Sequence, residues 1–456
     1  MVVFLYKFLR MKIIIAGAGE VGTHLAKMLS MESHNIVVID TNNERLLNIE
    51  SHLEVITING SSTSIQSLKD AGASKADLLI SVTPTQEINV IGSILGKKLG
   101  AKQTIARIDS PEYLHSVNLE LFREMGVDSL IYPEQLAARE VVGLLSQVGT
   151  TELVNFSGGN LSMIVVRLDE NAPIIDKSMM EAAKVSKDLD YRAVAITRNG
   201  NTIIPRGNDR FRLHDVVYVI TNQSGIKELM KFSGKEDFQV RNIMILGGSR
   251  IGARIAKHLE NKANIKLIEI DRDKSFKLAD DLTNTMVIRG DGSDLDLLIE
   301  EGIKEMDAFI AVTGNSETNI MTCLQAKKLG VKKTIAEVEN VEYIRLAENI
   351  GIDSMINKKF IAASHIFGFT MDKLVSSVKY LTGTHAEVME IIAQEGSRIT
   401  KAPLKDIDFP MQALIGGVIR GKSGIIARGK TQIMPRDKVI VFTLPEAISK
   451  VEKLFR

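Results

Sequence analysis

The sequence predicts an α/β protein in which two doubly wound parallel-sheet domains are each followed by a small α+β domain. Short β-branched runs such as Ile13–Ala16 and Leu78–Val82 alternate with helical stretches, as in parallel sheets that are covered on both faces. The same series of segments occurs twice, about half a chain apart. Strand-like runs separated by glycine and proline turns follow each series.

The duplication is clearest in two glycine-rich segments. Lys12–Gly22 has the same order of apolar, glycine and helix-forming residues as Asn242–Gly252. Further pairs follow in the same order along the chain: Asn59–Gly60 with Arg289–Gly290, Ala76–Thr83 with Met306–Thr313, Thr104–Ala106 with Thr334–Ala336, and Gly126–Ile131 with Gly351–Ile356. A matching order over so many segments indicates a tandem repeat.

The bulk composition gives no indication of a nucleic-acid-binding, membrane-spanning or disulfide-bonded protein. The formal net charge of the 456 residues is only +1, so no electrostatic attraction to nucleic acid is expected. No segment has the roughly 18 apolar residues that a membrane-spanning helix requires. The one cysteine, Cys323, lies in an apolar helical run and is predicted to be a buried thiol. No histidine or cysteine spacing indicates a metal site.

The segment Gly17-Ala-Gly-Glu-Val-Gly22 is typical of the turn that binds a pyrophosphate in Rossmann-like domains. Gly17 would form the tight turn, Gly19 would let the backbone approach a phosphate, and Gly22 would let the helix pack closely on the sheet. Asp40 ends the next strand, about 20 residues on, where a carboxylate accepts hydrogen bonds from ribose hydroxyls. Its charge would repel a 2′-phosphate, which favours NAD or an adenine nucleotide over NADP, although Arg45 lies close by in the sequence.

Three further residues of the first repeat lie at or just past the ends of predicted strands, and each has two interpretations. Thr83 lies near the crevice in which such sheets bind ligands, and it could equally cap the next helix. Arg107 could reach a phosphate, whereas on its own it would more often form a surface ion pair. Ser61 fits either a ligand contact or a turn.

The second repeat departs from this pattern at the phosphate. Ser249 replaces the central glycine, so a Cβ would lie where a pyrophosphate approaches, and Glu337 replaces Arg107. We expect a second site that is weaker, or that prefers a ligand with fewer phosphates. The parts expected to remain are Gly247, Gly252, Asp271 as the counterpart of Asp40, Gly290 and Thr313.

These patterns divide the chain into five segments. They are an N-terminal extension at 1–11, a Rossmann-like domain at 12–135, a connecting helix with a small domain at 136–232, a second Rossmann-like domain at 242–360, and a connecting helix with a second small domain at 361–456. In the small domains we expect strands at 160–168, 192–198, 216–221, 413–420 and 438–442, and interdomain linkers at 233–237 and 382–385.

Several stretches resemble those of one known family. They are the glycine turn with Asp40, Thr83–Asn89, Ile105–Arg107, Asp109–Tyr113, Gly126–Asp128, and the small-domain stretches Val194–Gly200, Ile203–Gly207 and His214–Tyr218. The family is that of RCK domains, the nucleotide-binding domains of potassium transport proteins. The doubled order of large and small domains covers nearly the whole chain, and it is similar to that of the regulatory subunits of Trk-type potassium uptake systems in bacteria and archaea.

The resemblance implies a regulator rather than an enzyme. Such proteins form a homo-oligomeric ring on the inner, cytoplasmic face of the cell membrane, bind NAD or NADH and alternatively ATP or ADP, and gate a membrane potassium-translocating subunit of the Trk type. No nucleic-acid partner is implied. The implied nucleotide contacts are Gly17, Ala18, Gly19, Glu20, Val21, Asp40, Ser61, Thr83, Pro84 and Arg107 in the first repeat, and Gly247, Gly248, Ser249, Arg250, Ile251, Asp271 and Thr313 in the second.

Two other functions remain open. An NAD-dependent oxidoreductase would need a proton donor or acceptor at the nicotinamide. Tyr191, His214 and His385 are scattered candidates without a recognisable constellation, and a surface or core role explains each of them better. A soluble nucleotide sensor with a partner other than a channel would have the same sequence features.

Overall fold

The structure is a computed structural model, and it forms two compact units. One contains Met1–Leu136 and Lys358–Met371, and the other contains Ala137–Asn357 and Asp372–Arg456. The residues that the structure describes are 11–31, 34–146, 152–168, 170–185, 190–198, 201–222, 225, 226, 228, 229, 239–340, 343, 344, 346, 347, 350–369, 375–380 and 386–456. Residues 1–10 of the predicted N-terminal extension lie outside them.

The first Rossmann-like domain is a six-stranded parallel sheet with helices between its strands. Its strands are β1 (Lys12–Ala16), β2 (Asn35–Asp40), β3 (Ile56–Asn59), β4 (Leu78–Ser81), β5 (Gln103–Arg107) and β6 (Ser129–Ile131). Its helices are α1 (Glu20–Met31), α2 (Asn43–His52), α3 (Ile65–Asp70), α4 (Gln86–Lys98), α5 (Ser116–Met125) and α6 (Pro133–Ser146). The strand order β3-β2-β1-β4-β5-β6 confirms the predicted doubly wound sheet, and it reverses between β1 and β4.

The strand β1 is apolar throughout because both of its faces are covered. Ile13, Ile14 and Ile15 are fully buried, although successive side chains of a strand point to opposite faces. Ile14 belongs to a cluster with Val37 and Leu79 from the two neighbouring strands. Burial of each such side chain stabilises the sheet by about 1.5–3 kcal/mol, and this explains why the apolar runs identified the strands correctly.

The second Rossmann-like domain repeats this architecture. Its strands are β12 (Asn242–Leu246), β13 (Asn264–Glu269), β14 (Thr285–Arg289), β15 (Ala308–Ala311), β16 (Lys333–Glu337) and β17 (Ser354–Ile356). They form a parallel sheet in the order β14-β13-β12-β15-β16-β17. Its helices include α8 (Arg250–Leu259), α9 (Arg272–Asp281), α10 (Leu295–Glu300) and α11 (Ser316–Lys328).

Each small domain has a five-stranded antiparallel sheet. The first contains β7 (Glu152–Phe156), β8 (Leu161–Arg167), β9 (Tyr191–Arg198), β10 (Asn201–Ile203) and β11 (Val216–Thr221), with the helix α7 (Met179–Val185). The second contains β18 (Val375–Tyr380), β19 (Glu387–Ile392), β20 (Ala413–Arg420), β21 (Ser423–Ile426) and β22 (Lys438–Thr443), with the terminal helix α13 (Ile448–Phe455). Their orders, β10-β9-β11-β8-β7 and β21-β20-β22-β19-β18, are the same.

The two small domains share one hydrophobic core. Leu161, Val194 and Tyr218 of the first domain lie in one buried cluster with Val388 and Phe442 of the second. The rings of Tyr218 and Phe442 are 5.9 Å apart between centroids. The small domains are therefore packed against each other rather than separated by solvent.

The structure bears on only one of the two predicted interdomain linkers. Both predicted linkers, 233–237 and 382–385, lie outside the described residues. The strands on either side of 382–385, β18 and β19, are antiparallel neighbours in one sheet. The prediction of an interdomain linker at 382–385 is therefore wrong, because this segment connects two strands of the same domain.

One helix of the second repeat belongs to the first compact unit. The helix α12 (Lys358–Phe367) follows β17 in the sequence, and it packs on α1 of the first Rossmann-like domain. Its residues Ala362, Ala363, Ile366 and Phe367 are buried.

Candidate nucleotide-binding sites

The glycine turn after β1 has three glycines with three different surroundings. Gly17 adopts φ +114°, a left-handed conformation that favours glycine, and its N–H donates to the carbonyl of Ile39 at 2.8 Å. A Cβ on Gly22 would lie 1.8 Å from the Gly17 carbonyl oxygen, so α1 can start this close to the turn only with glycine there. A Cβ on Gly19 would meet no atom within 4 Å. The turn is therefore closed on the protein side and open above Gly19, where a phosphate would approach.

The carboxylate of Asp40 is held beside this turn by two backbone groups. One oxygen accepts from the N–H of Ala18 at 2.5 Å, and the other accepts from the N–H of Asn42 at 2.8 Å. Each oxygen keeps a further lone pair, which can accept from a ribose hydroxyl. Asp40 therefore ends β2 as predicted, and its carboxylate is fixed beside the glycine turn.

Thr83 joins two neighbouring strand ends through a buried asparagine. Both the N–H and the hydroxyl of Thr83 donate to the side-chain oxygen of Asn89, at 2.8 and 2.7 Å. The amide nitrogen of Asn89 donates back to the Thr83 carbonyl at 3.0 Å and to the Arg107 carbonyl at 2.9 Å. Thr83 therefore does not cap α4, whose N-cap residue is Thr85.

Arg107 ends β5 and carries an unsatisfied buried group. Its Nε is buried and has no hydrogen-bond partner within the described part of the chain. One of its terminal nitrogens lies 3.7 Å from the Asp109 carboxylate, so the expected ion pair is present as well. An anion in the crevice would satisfy the Nε, because a buried guanidinium N–H without an acceptor is energetically costly.

The other predicted contacts of the first repeat differ in what they can offer a ligand. The Ser61 hydroxyl lies 2.8 Å from that of Thr63 and accepts from its N–H at 3.2 Å, so Ser61 has the hydrogen bonds of a turn residue. Ala18 and Val21 have buried side chains and can contribute only backbone groups. Glu20 and Pro84 are exposed.

The second repeat preserves the backbone of this site. Gly247 adopts φ +103°, and a Cβ on Gly252 would lie 2.1 Å from the Gly247 oxygen. Thr313 donates to Asn319 at 3.0 and 2.7 Å, and Asn319 donates to the Glu337 carbonyl at 2.9 Å. The positions of Thr83, Asn89 and Arg107 thus recur as those of Thr313, Asn319 and Glu337.

The predicted equivalence of Asp271 with Asp40 is wrong. Glu269 has this position: its two carboxylate oxygens accept from the N–H groups of Gly248 and Asp271, each at 2.8 Å. Asp271 instead caps α9 by accepting from the N–H of Lys274 at 2.9 Å, as Asn42 caps α2. The segment Glu-Ile-Asp contains two carboxylates, those of Glu269 and Asp271. The sequence pattern predicted Asp271, which lies past the end of the strand.

The side chain of Glu269 is longer than that of Asp40, and it fits only because the neighbouring residue is Gly248. A Cβ on Gly248 would lie only 2.7 Å from the Glu269 carboxylate and 2.3 Å from Leu278. In the first repeat the corresponding residues are Ala18 and Asp40. The alanine–aspartate pair of the first repeat is therefore replaced by a glycine–glutamate pair of similar total size.

The phosphate side of the second site is different. The Ser249 hydroxyl accepts from the N–H of Gly252 at 3.3 Å, so this side chain caps α8 and occupies a helix N–H that Gly19 leaves uncapped. Glu337 is buried, at 3% exposure, where the first site has Arg107. The Asp291 carboxylate accepts from Ser293, which lowers its pKa below the usual value. Arg250 and Ile251 open α8, the first exposed and the second buried.

Comparison with known proteins is consistent with these modules. A family model for the TrkA-N domain matches residues 13–133 and 243–358, and one for the TrkA-C domain matches residues 163–234 and 388–456. The chain belongs to the TrkA family. A Trk system potassium uptake protein TrkA homolog of Archaeoglobus fulgidus is 33% identical over 449 residues, which are 98% of this chain and 100% of that protein. The Haemophilus influenzae TrkA protein is 32% identical over 98% of this chain and 99% of its own length.

Solved structures share the fold of this TrkA family member. The GsuK channel aligns with a TM-score of 0.62 at 17% identity, covering 98% of this chain and 78% of that one. A structure of the GsuK channel bound to NAD aligns with a TM-score of 0.60 at 18% identity, covering 98% and 79%. In the part of the chain that the structure describes, no helix is long and apolar enough to cross a membrane, and no cluster of His, Cys, Asp or Glu could hold a metal ion.

Sequence reasoning missed two residues that organise these TrkA-family sites. The role of Asn89 had a signal, because a threonine followed six residues later by an asparagine occurs in both repeats, at Thr83 and at Thr313. Glu269 had no such signal, because counting from the glycine turn aligns Asp40 with Ile270, which lies between Glu269 and Asp271.

Proposed function

We propose that this chain is the nucleotide-responsive regulatory subunit of a Trk-type potassium uptake system, and that its first Rossmann-like domain is the principal nucleotide site. The observation that carries the proposal is Arg107, whose buried Nε has no acceptor among the described residues. It ends β5, which is the neighbour of β4, and the strand order reverses between β1 and β4. Dinucleotides bind at this point in doubly wound sheets.

The residues around this point fit the parts of NAD or an adenine nucleotide. The open space above Gly19 and the start of α1 suit a phosphate, and Asp40 suits the ribose hydroxyls. The fixed carboxylate of Asp40 disfavours the 2′-phosphate of NADP. A structure of the same fold is described as the GsuK channel bound to NAD and another as GsuK bound to ADP, which supports both ligand classes.

In this proposal the nucleotide is an effector and not a hydride carrier. A ligand shifts a conformational equilibrium only through different affinities for the two states, and a coupling of about 1–3 kcal/mol is typical. Of the candidates for a catalytic group, Tyr191 and His214 belong to the first small domain, and His385 lies outside the described residues. Steady oxidation of NADH with a small substrate would favour an oxidoreductase instead.

Assembly into a ring on the membrane's inner face is part of the proposal. The helix α5 has no buried residue, and its apolar residues Val117, Leu121 and Met125 are 80%, 52% and 40% exposed. In the second repeat Leu346 and Ile350 are likewise exposed. Exposed apolar residues one helical turn apart favour contact with another copy of the chain. Leu121→Glu should reduce the mass of the assembly measured by light scattering, whereas an unchanged mass would exclude α5 from the interface.

The nucleotide site is tested by calorimetric titration of the full chain with NAD, NADH, ADP and ATP. Arg107→Met should weaken binding by roughly tenfold or more, because a hydrogen bond to a charged group is lost. It should leave thermal stability unchanged or higher without ligand, because the buried Nε is gone. Arg241→Met, which changes an exposed arginine just before β12, is the matched control. Equal affinity of the Arg107 and Arg241 variants would reject the site.

The partner is tested by purification from membranes. The chain should be recovered with a polytopic potassium-translocating subunit, and nucleotide should change potassium flux through the complex. Recovery of only soluble partners would favour the nucleotide-sensor alternative.

A further inference from the structure

The first residue of α1 is bound by a lysine from a distant part of the sequence. The Lys359 ammonium forms an ion pair and a hydrogen bond with the Glu20 carboxylate. One turn further along α1, the ring of His24 lies 4.3 Å from that of Phe360, measured between centroids. Two successive residues of α12 therefore contact α1 at its start, and the pairing is specific rather than a loose helix contact.

One partner of this contact is the residue next to the proposed phosphate position. Glu20 immediately follows Gly19, the residue above which the turn is open. The side chain of Glu20 is 69% exposed, whereas that of Lys359 is only 19% exposed. A carboxylate at a helix start that is to bind phosphate is unfavourable by itself, because both groups are negative. Pairing with Lys359 balances the charge of this carboxylate while the site is empty.

The ammonium group of Lys359 is suited to exchange partners. It is a compact charge with three donors on a flexible stem, so it can leave a carboxylate for a nearby phosphate oxygen without moving the backbone of its helix. The exposed Glu20 carboxylate can then return to solvent at little cost. The pair thus has two arrangements, of which one requires an anion at the glycine turn.

The second repeat has both charges reversed at these positions. Arg250 replaces Glu20 at the start of α8, and Glu134, the second residue of α6, corresponds to Lys359, the second residue of α12. The pairing of an acidic residue after the glycine turn with a lysine of the connecting helix is therefore found only at the first site.

We propose that Lys359 is a phosphate-binding residue of the first nucleotide site, supplied by the second repeat, and that the Glu20–Lys359 ion pair is a latch that nucleotide opens. The inference rests on the proposed function, since it requires a nucleotide at the first glycine turn. It gives the first site a direct connection to α12, the helix that precedes the second small domain. Nucleotide binding would then change how α12 is held on α1.

The test is calorimetric titration of the full chain with NAD and with ADP over a series of salt concentrations. Lys359→Met should weaken binding by roughly tenfold, as expected for loss of a charge-assisted hydrogen bond, and should reduce its salt dependence. Lys359→Arg should restore most of the affinity. Glu20→Gln should tighten binding, because the competitor for the ammonium group is weakened. Lys27→Met, an exposed lysine on α1, is the matched control.

The outcomes separate this inference from the proposed function. If the unaltered chain binds no nucleotide, the proposed function fails. If the unaltered chain binds and Lys359→Met lowers only the melting temperature, with the same dissociation constant and salt dependence, Lys359 is structural and the inference is overturned. Weaker binding by Glu20→Gln would also overturn it, because Glu20 would then assist the ligand rather than compete with it.

Discussion

Asn89 and Asn319 make the same four hydrogen bonds in the first and the second Rossmann-like domain. The side chains around these matched frameworks are not matched. Arg107 is replaced by Glu337, and Gly19 is replaced by Ser249, which caps its own helix. The comparison teaches that the strand ends and the glycine turn are requirements of the fold, which both repeats keep. The charges at the proposed phosphate position are not required by the fold, and they differ.

The largest expected effect on nucleotide binding comes from exchanging Arg107 and Glu337, the oppositely charged residues at the same position of the two repeats. Arg107→Glu should cost about 2–5 kcal/mol of binding free energy for NAD, because it puts a carboxylate beside the phosphates. The reciprocal Glu337→Arg should create or strengthen binding at the second site. Titration calorimetry of both variants would measure these changes in affinity. An equal loss of NAD affinity in both variants would contradict the proposed difference between the repeats.

The next effect is a pH dependence that only the first repeat should have. Burial, with a smaller contribution from Lys27, lowers the pKa of His24 to about 4 from its ordinary 6.5. The folded state therefore resists protonation, so stability is complete above pH 6.5 and is lost as the pH falls towards 4, by about 2–3 kcal/mol. The corresponding residue of α8 is Arg254, which stays charged.

Hydrogen exchange at several pH values, corrected for the intrinsic rates, would measure this pH effect. We expect α1 to lose protection between pH 6.5 and 4 while α8 does not. His24→Leu should reduce the difference, and burial also lowers the pKa of His34 in the same repeat. Equal loss of protection in α1 and α8 would contradict the assignment to His24.

A smaller effect should be the same in both repeats. Asn89→Ala and Asn319→Ala each leave a buried backbone N–H and two carbonyls without this partner, so each should destabilise its own domain by about 1–3 kcal/mol. Thermal unfolding, monitored by hydrogen exchange in each of the two Rossmann-like domains, would measure both losses of stability. A loss confined to one domain would show that the frameworks are not equivalent.

The smallest effect on stability comes from exchanging the turn residues. Gly19→Ser meets no atom within 4 Å and should fold normally, yet it should weaken nucleotide binding by roughly tenfold through lost phosphate access. Ser249→Gly should cost only a few tenths of a kcal/mol, because glycine is an acceptable N-cap residue. Unchanged affinity in Gly19→Ser would mean that the phosphate does not approach there.

Much of the fold was predictable because buried parallel strands are apolar at every position. The segments around Ile13–Ala16 and Leu78–Ser81 were identified this way. The short edge strands Asn201–Ile203 and Ser423–Ile426 were not, because edge strands lie partly in solvent and lack this pattern.

The candidate sites were predictable where function depends on the backbone. Gly17, Gly22 and Asp40 have the geometry that their spacing predicted. The partner of Glu20 was not predictable, because Lys359 lies 339 residues away and only the packing of α12 on α1 brings it close. Glu269 was missed because two carboxylates lie at the end of one strand, and only their hydrogen bonds distinguish them.

The difference between the two repeats is tested most directly by one pair of matched variants. Asp40→Asn and Glu269→Gln change the corresponding carboxylate of the first and the second site. In each variant an NH2 group replaces one carboxylate oxygen, so one of the two backbone N–H groups that donate to it loses its acceptor. NAD titration of the full chain should show tight binding that Asp40→Asn abolishes and Glu269→Gln leaves intact. Loss of the tight binding in Glu269→Gln alone, or equal loss in both, would contradict the account.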